Sequence, residues 1–86
     1  MQNGIIILST YPDEQTAVKI TKNILESKLT ACVNLTSIRS LYWWKDRIED
    51  SNECLVIFKS TSKKARALKE TIAKSHPYEV PEIIEI

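Results

Sequence analysis

Two strand-forming stretches that meet at one charged turn constrain this chain more than any other feature. Residues 30–44, TACVNLTSIRSLYWW, are rich in strand formers, and residues 51–61, SNECLVIFKST, are apolar without a break from Cys54 to Phe58. WKDRIED makes the turn: Lys45, Asp46 and Arg47 lie between Trp44 and Ile48, and Asp tolerates the left-handed conformation that glycine would normally supply. An 86-residue globule has a radius of gyration of about 12 Å and a diameter of roughly 30 Å. Fifteen extended residues reach about 50 Å at roughly 3.3 Å each. A hairpin with arms over 30–44 and 46–60 therefore overshoots its own domain. Its tip, carrying Tyr42, Trp43 and Trp44, must fold back or lie against a partner. Adjacent tryptophans face opposite sides of a strand, and one small globule has little room to bury both. The apolar alternation at Ala31, Val33 and Leu35 loses register near TSI, which predicts a bulge or short kink there.

The rest of the chain supplies two crossovers. GIIILST (4–10) is a continuously apolar, β-branched run that suits a central strand buried on both faces. Pro12 ends it, Asp13 can cap a helix, and Ala17, Ile20 and Ile24 then recur at helical spacing, predicting a helix from about 14 to 28. A second amphipathic segment, STSKKARALKETIAKSH, places Ala65, Leu68 and Ile72 on one face, with Ser60 to Ser62 as its cap. YEVPEIIEI begins a last strand whose early part Pro81 confines to an edge. Strand, helix, strand, strand, helix, strand predicts an α+β, ferredoxin-like βαββαβ sandwich over residues 1–86 as a single domain. It has one antiparallel sheet, a long bulged central hairpin and both helices on one face.

Composition removes several function classes. Net charge is +1 with the signs interspersed, unlike the basic face of a nucleic-acid binder. No stretch is long and apolar enough to span a membrane, and the N-terminal apolar run is too short for a signal peptide, so a soluble, cytoplasmic protein is expected. With one glycine, Gly4, there is no glycine-rich phosphate loop, and every tight turn must use other residues. Cys32 and Cys54 lack C-x-x-C spacing and read as buried free thiols. The acids of STYPDEQ exclude acylphosphatase-type phosphate chemistry, and the central strands lack the aromatics of an RNA-binding sheet. No nucleophile–base pair stands out, so the chain is not expected to be an enzyme.

The motifs TYPDE, KLTACVN, RSLYWWKDRIE, IFKST and HPYEVPEI, in this order and spacing, cover essentially the whole chain. They resemble those of the CutA family, the divalent-cation-tolerance proteins. The resemblance implies a ferredoxin-like subunit, a homotrimer held by inter-subunit strand pairing, and an architecture shared with PII-type signalling proteins. It also implies a link to tolerance of copper or another divalent cation and, in some members, the anchoring or trafficking of a protein partner. No enzymatic reaction and no required cofactor come with it. Three departures stand out. The family's PG between the halves of the second strand is NLTSIRS here, the glycine after YWW and one charged residue is Asp46, and members continue past the position of Ile86 with a strand segment and a C-terminal helix. The chain is therefore expected to lack the family's C-terminal segment, which puts trimer formation in question.

Site candidates follow. The cysteine, histidine and glutamate proposed as metal ligands in some members fall on Ser9, Ser75 and Glu82, so only the glutamate keeps a ligand's chemistry. His76 is adjacent and could substitute, which makes His76 and Glu82 the metal candidates. The other reading has His76 packing or hydrogen-bonding beside Pro77. Tyr42, Trp43 and Trp44 are either subunit-contact aromatics or a stacking platform for a planar ligand in an inter-subunit cleft. Arg39, Lys59, Tyr78 and Glu79 are further cleft or interface candidates, Lys59 alternatively being a strand-end lysine with its head in water.

Overall fold

A computed structural model describes residues 3–86. The elements run β1 (Gly4–Tyr11), α1 (Glu14–Glu26), β2 (Cys32–Trp44), β3 (Arg47–Thr61), a short 3-10 turn (Ser62–Lys64), α2 (Ala65–Ser75) and β4 (Ile83–Glu85). The strands form one antiparallel sheet in the order β2-β3-β1-β4. The helices lie side by side on one face, α1 toward β2 and β3, α2 toward β1 and β4. This is the ferredoxin-like arrangement expected of the element order.

Strand parity decides which side chains the helices cover. Ile7 and Tyr11 of β1 and Cys54, Val56 and Phe58 of β3 point to the helical face, where they meet Ala17, Ile24, Leu68 and Ile72 in the core. Each large aliphatic or aromatic side chain so buried contributes about 1.5–3 kcal/mol. The opposite face carries Ile6, Leu8, Leu55, Ile57 and Ile84, all at least partly exposed. β1 is central, but apart from Thr10 its buried side chains all lie on the helical face. Its continuous apolar run marks a second apolar surface that this chain does not cover.

Helix α1 starts where Asp13 Oδ1 accepts from the Thr16 amide at 2.7 Å. That bond holds the Asp13 carboxyl below its ordinary pKa. The helix stops at Glu26, two residues before the expected end, because Ser27 closes the last turn and Lys28 takes a left-handed conformation, φ 64°. The expected Ser60–Ser62 cap on α2 is absent. The Ser60 hydroxyl instead donates to the Leu29 carbonyl at 2.5 Å, and the 3-10 turn leads into α2 without a side-chain cap. Lys64 Nζ donates to the Lys28 carbonyl at 2.9 Å, tying the start of α2 to the end of α1. Gly4 lies in β1, and the left-handed positions among the described residues are Asn3, Lys28, Lys45 and Asp46. The turns are thus made without glycine.

The hairpin departs from expectation in three ways. Its register is unbroken from Cys32 opposite Lys59 to Trp44 opposite Arg47, so there is no bulge at TSI. The polar residues there are simply those whose side chains leave the helix-covered part of the sheet. The turn is two residues, Lys45 and Asp46, with φ 50° and 62°, and Arg47 already belongs to β3. Such a doubly left-handed turn matches the strands' own twist. With no kink, the arm runs straight out, and the molecule measures 41 × 23 × 21 Å. Cys32, on the outer strand, is exposed rather than buried, whereas Cys54 is in the core.

Candidate functional site

The sequence folds the segment between α2 and β4 across the open sheet face just beyond the end of β1. Between this segment and the hairpin arm lies a groove of about 1120 Å³. The open-face positions of β2 and β3 floor it with Ile38, Ser40, Tyr42, Trp44, Glu49, Glu53 and Leu55. Pro77, Tyr78, Glu79, Val80 and Glu82 form the opposite wall.

Four hydrogen bonds and two ring contacts hold that wall. The His76 ring stacks on Tyr11 with centroids 4.3 Å apart and an interplanar angle of 21°, and the Tyr78 ring leans on it at 4.9 Å, tilted by 46°. The Tyr78 amide donates to His76 Nδ1 at 3.1 Å, so Nδ1 is bare, and Nε2–H donates to the Thr10 carbonyl at 2.8 Å. The Tyr78 hydroxyl donates to Glu53 Oε2 at 2.6 Å, and the Ser9 hydroxyl donates to the Glu82 carbonyl at 2.6 Å.

These surroundings set the local electrostatics. Burial disfavours the imidazolium and lowers the pKa of His76, and this outweighs the Thr10 carbonyl and the Glu53 carboxylate acting the other way. Tyr78 is raised by burial and by its bond to Glu53. Tyr11, fully buried, is pushed up to about 12 by desolvation, with Ser9 acting slightly against it. Its hydroxyl makes no hydrogen bond of normal geometry. Arg39 forms a forked ion pair with Asp50, at 2.8 and 2.6 Å, which raises the guanidinium and lowers the carboxyl. A smaller cleft of about 510 Å³, between Asp13, Glu14, Arg39, Glu53 and Cys54, adjoins the groove. Burial and the Glu14 and Asp13 carboxylates raise the Cys54 thiol, keeping it protonated and a poor nucleophile.

The structure brings Arg39, Tyr42, Trp44, Tyr78, Glu79 and Glu82 together around the groove. Trp43 points to the other side of the arm and is 72 % exposed. Lys59 lies away from the groove, opposite Ile6 and Cys32. Its backbone carbonyl accepts from the Ala31 amide and the Thr30 hydroxyl. His76 stands behind the wall rather than lining it. Glu49 and Glu53 belong to the groove and escaped the sequence reading. The signal for Glu53 was its parity with Leu55, Ile57 and Lys59 along β3.

A divalent cation fits His76 and Glu82 poorly in this chain. A neutral imidazole has one lone pair, and that of His76 accepts the Tyr78 amide. Ser9 is committed to the Glu82 backbone, and no group of three His, Cys, Asp or Glu side chains among the described residues is placed to hold a metal. The groove is lined by polar and aromatic side chains. Among the described residues no helix is long and apolar enough to cross a membrane.

Comparison with known proteins gives this surface a context. The family model for the CutA1 divalent ion tolerance protein matches residues 5–86. The divalent-cation tolerance protein CutA of Thermotoga maritima is 44 % identical over 82 residues, covering 95 % of this chain and 81 % of that one. Its counterpart in Thermococcus kodakarensis is 43 % identical over 83 residues, covering 96 % and 80 %. The crystal structure of CutA1 from Pyrococcus horikoshii superposes with a TM-score of 0.92 at 41 % identity, over 95 % of this chain and 80 % of that one. A structure described as the periplasmic divalent cation tolerance protein CutA from Archaeoglobus fulgidus gives 0.92 at 36 % identity, over 96 % and 81 %. Motif order, sheet topology and these likenesses agree: the chain belongs to the CutA1 divalent ion tolerance family.

Proposed function

We propose that the chain acts as a non-catalytic, cytoplasmic homotrimer in tolerance of divalent metals, copper among them. Neighbouring copies complete the groove, which takes a cation or a small ligand. The observation that carries this reading is the hairpin tip, where Leu41, Trp43 and Ile48 are 64 %, 72 % and 62 % exposed on an arm that projects beyond its own core. Contiguous apolar surface of this kind marks an interaction site. The groove runs along the other face of the same arm, so a trimer that engages both faces of the arm covers the tip and closes the groove. The names of the relatives supply the link to divalent cations.

Sedimentation equilibrium at micromolar concentration should give three chain masses, and Trp43→Asp should shift the protein to the monomer. A compact monomer with both indoles shielded from quencher would overturn the assembly. Thermal-shift measurements with copper, zinc and magnesium salts then test binding, the expected result being a rise in Tm with at least one of them.

A second reading is favoured by the engaged nitrogens of His76 and the lack of a three-donor group among the described residues. In it the trimer is a rigid platform that anchors or regulates another protein without a specific metal site. A stable trimer whose Tm responds to no cation supports that version.

A further inference from the structure

We propose that the end of the molecule opposite the groove is a docking surface for an anionic lipid bilayer, formed by Lys22, Lys28, Lys59, Lys63, Lys64 and Arg66. Charges that are interspersed along the sequence separate in the fold. Helix α1 ends where α2 begins, and four hydrogen bonds gather basic residues at that junction. Lys64 Nζ donates to the Lys28 carbonyl, the Ser60 hydroxyl to that of Leu29, and the Thr30 hydroxyl and Ala31 amide to that of Lys59. Lys22 lies one turn before the end of α1, and Arg66 lies in the first turn of α2. All six side chains are exposed, and none forms an ion pair among the described residues.

This pole holds six of the twelve basic residues and one of the eleven acidic ones, Glu26. Acids collect at the far end, where Asp13, Glu49, Glu53, Glu79 and Glu82 surround the groove and the adjoining cleft. The hairpin, paired from Cys32 and Lys59 out to Trp44 and Arg47, spans the separation in a molecule 41 Å long. Electrostatic forces fall off over about 8 Å at physiological ionic strength. A negative plane that touches the basic pole therefore leaves the acidic end several such lengths away. The net charge of +1 hides this polarity.

The chemistry of the pole selects a lipid plane over other polyanions. The groove and cleft that could seat an acidic peptide both lie at the acidic end. Single-stranded nucleic acid needs aromatic rings on which its bases stack, and the exposed rings of Tyr42, Trp43 and Trp44 stand at the hairpin tip. A duplex presents phosphates at fixed spacing, whereas mobile headgroups gather beneath whatever positions the lysines occupy. Clusters of about four to eight Lys and Arg hold proteins to anionic headgroups in this way. Leu25, 36 % exposed and one helical turn from Lys22, adds an aliphatic side chain that suits the headgroup boundary. The pole lies away from the hairpin tip, so this surface does not rest on the trimer reading, and either can fail alone.

Co-sedimentation of the intact protein with vesicles is the test. Vesicles of phosphatidylglycerol and phosphatidylcholine should carry the protein down at about 0.05 M salt and release it as salt rises past about 0.15 M. Vesicles of phosphatidylcholine alone should leave it in solution. Lys63→Glu together with Arg66→Glu should weaken binding at least about tenfold. Lys19→Glu together with Lys74→Glu changes the net charge equally but away from the pole, and should weaken binding by less than about threefold. Duplex DNA at equal phosphate concentration should not displace the protein from the vesicles. Failure to sediment with the anionic vesicles, equal losses in the two double variants, or displacement by the duplex would overturn the docking surface. Should Lys63→Glu with Arg66→Glu fail to fold, each substitution alone, read against Lys74→Glu, makes the same comparison.

Discussion

Tyr11 and His76 face each other across one ring stack, and their polar atoms fare differently. His76 uses both nitrogens, whereas the Tyr11 hydroxyl is buried beside Ser9 without a hydrogen bond of normal geometry. A buried hydroxyl so poorly paired costs desolvation and returns little. Tyr11→Phe should therefore leave stability unchanged or raise it by up to about 1 kcal/mol in urea titration, since the ring and its packing remain. Phe58→Ala, which opens a cavity at the centre of the core, should cost about 3–5 kcal/mol in the same assay. The pH dependence has a definite sign. In the unfolded chain a histidine titrates near 6.5, and in the fold its pKa is lower. Between the two values the unfolded chain binds more protons, so stability rises with pH through that window. The contribution of His76 is complete above about pH 6.5 and is lost as pH falls toward the folded value. The urea midpoint should drop on acidification through this range, and His76→Phe should remove that part of the slope. The sequence showed that His76 stands beside Pro77, and one of its two readings foresaw a hydrogen-bonded ring. What no local pattern could show was the partner, because Thr10 is 66 positions away. Cys32 misled for a related reason. Its neighbours are apolar, but its parity points it to the face the helices leave open.

The elements were legible wherever apolar periodicity ran unbroken. Both helices, the central strands and the sheet order follow from the spacing of Ala17, Ile20 and Ile24, of Leu68 and Ile72, and from the run Cys54 to Phe58. The failures lie where periodicity changed meaning. Near TSI the apolar alternation faded because the strand was leaving the helical layer, and a fading pattern looks the same as a bulge. The α2 cap failed because the Ser60 hydroxyl reaches Leu29, a tertiary contact that competes with capping. At the hairpin turn, Lys45 and Asp46 hold left-handed conformations that Asn-Gly adopts with less strain. Lys45→Asn together with Asp46→Gly should stabilise the protein by about 1 kcal/mol, measured as a shift in the urea midpoint at constant m-value. A loss of stability would mean that the side chains of Lys45 and Asp46 do more than turn the chain.

At the scale of the whole molecule, the helices cover one face of a sheet that is apolar on both. The groove needed the fold to be seen. Arg39, Tyr42, Trp44, Tyr78, Glu79 and Glu82 come from two distant stretches, and only the placing of the segment after α2 against the hairpin arm puts them around one groove. Glu49 and Glu53 were hidden because charged residues near a hairpin turn look solvated until the neighbouring segment is placed. The straight outer strand β2 carries a consequence of its own. From Cys32 to Trp44 its free edge has no proline, no bulge and a single charge, at Arg39, so it lacks the usual devices that keep a sheet border from recruiting strangers. Half-folded copies released together from denaturant should zip onto one another along this border, and the yield of recovered protein should fall as concentration rises. Slow, dilute renaturation, or a lysine introduced at Ser37 to spoil the border, should restore it.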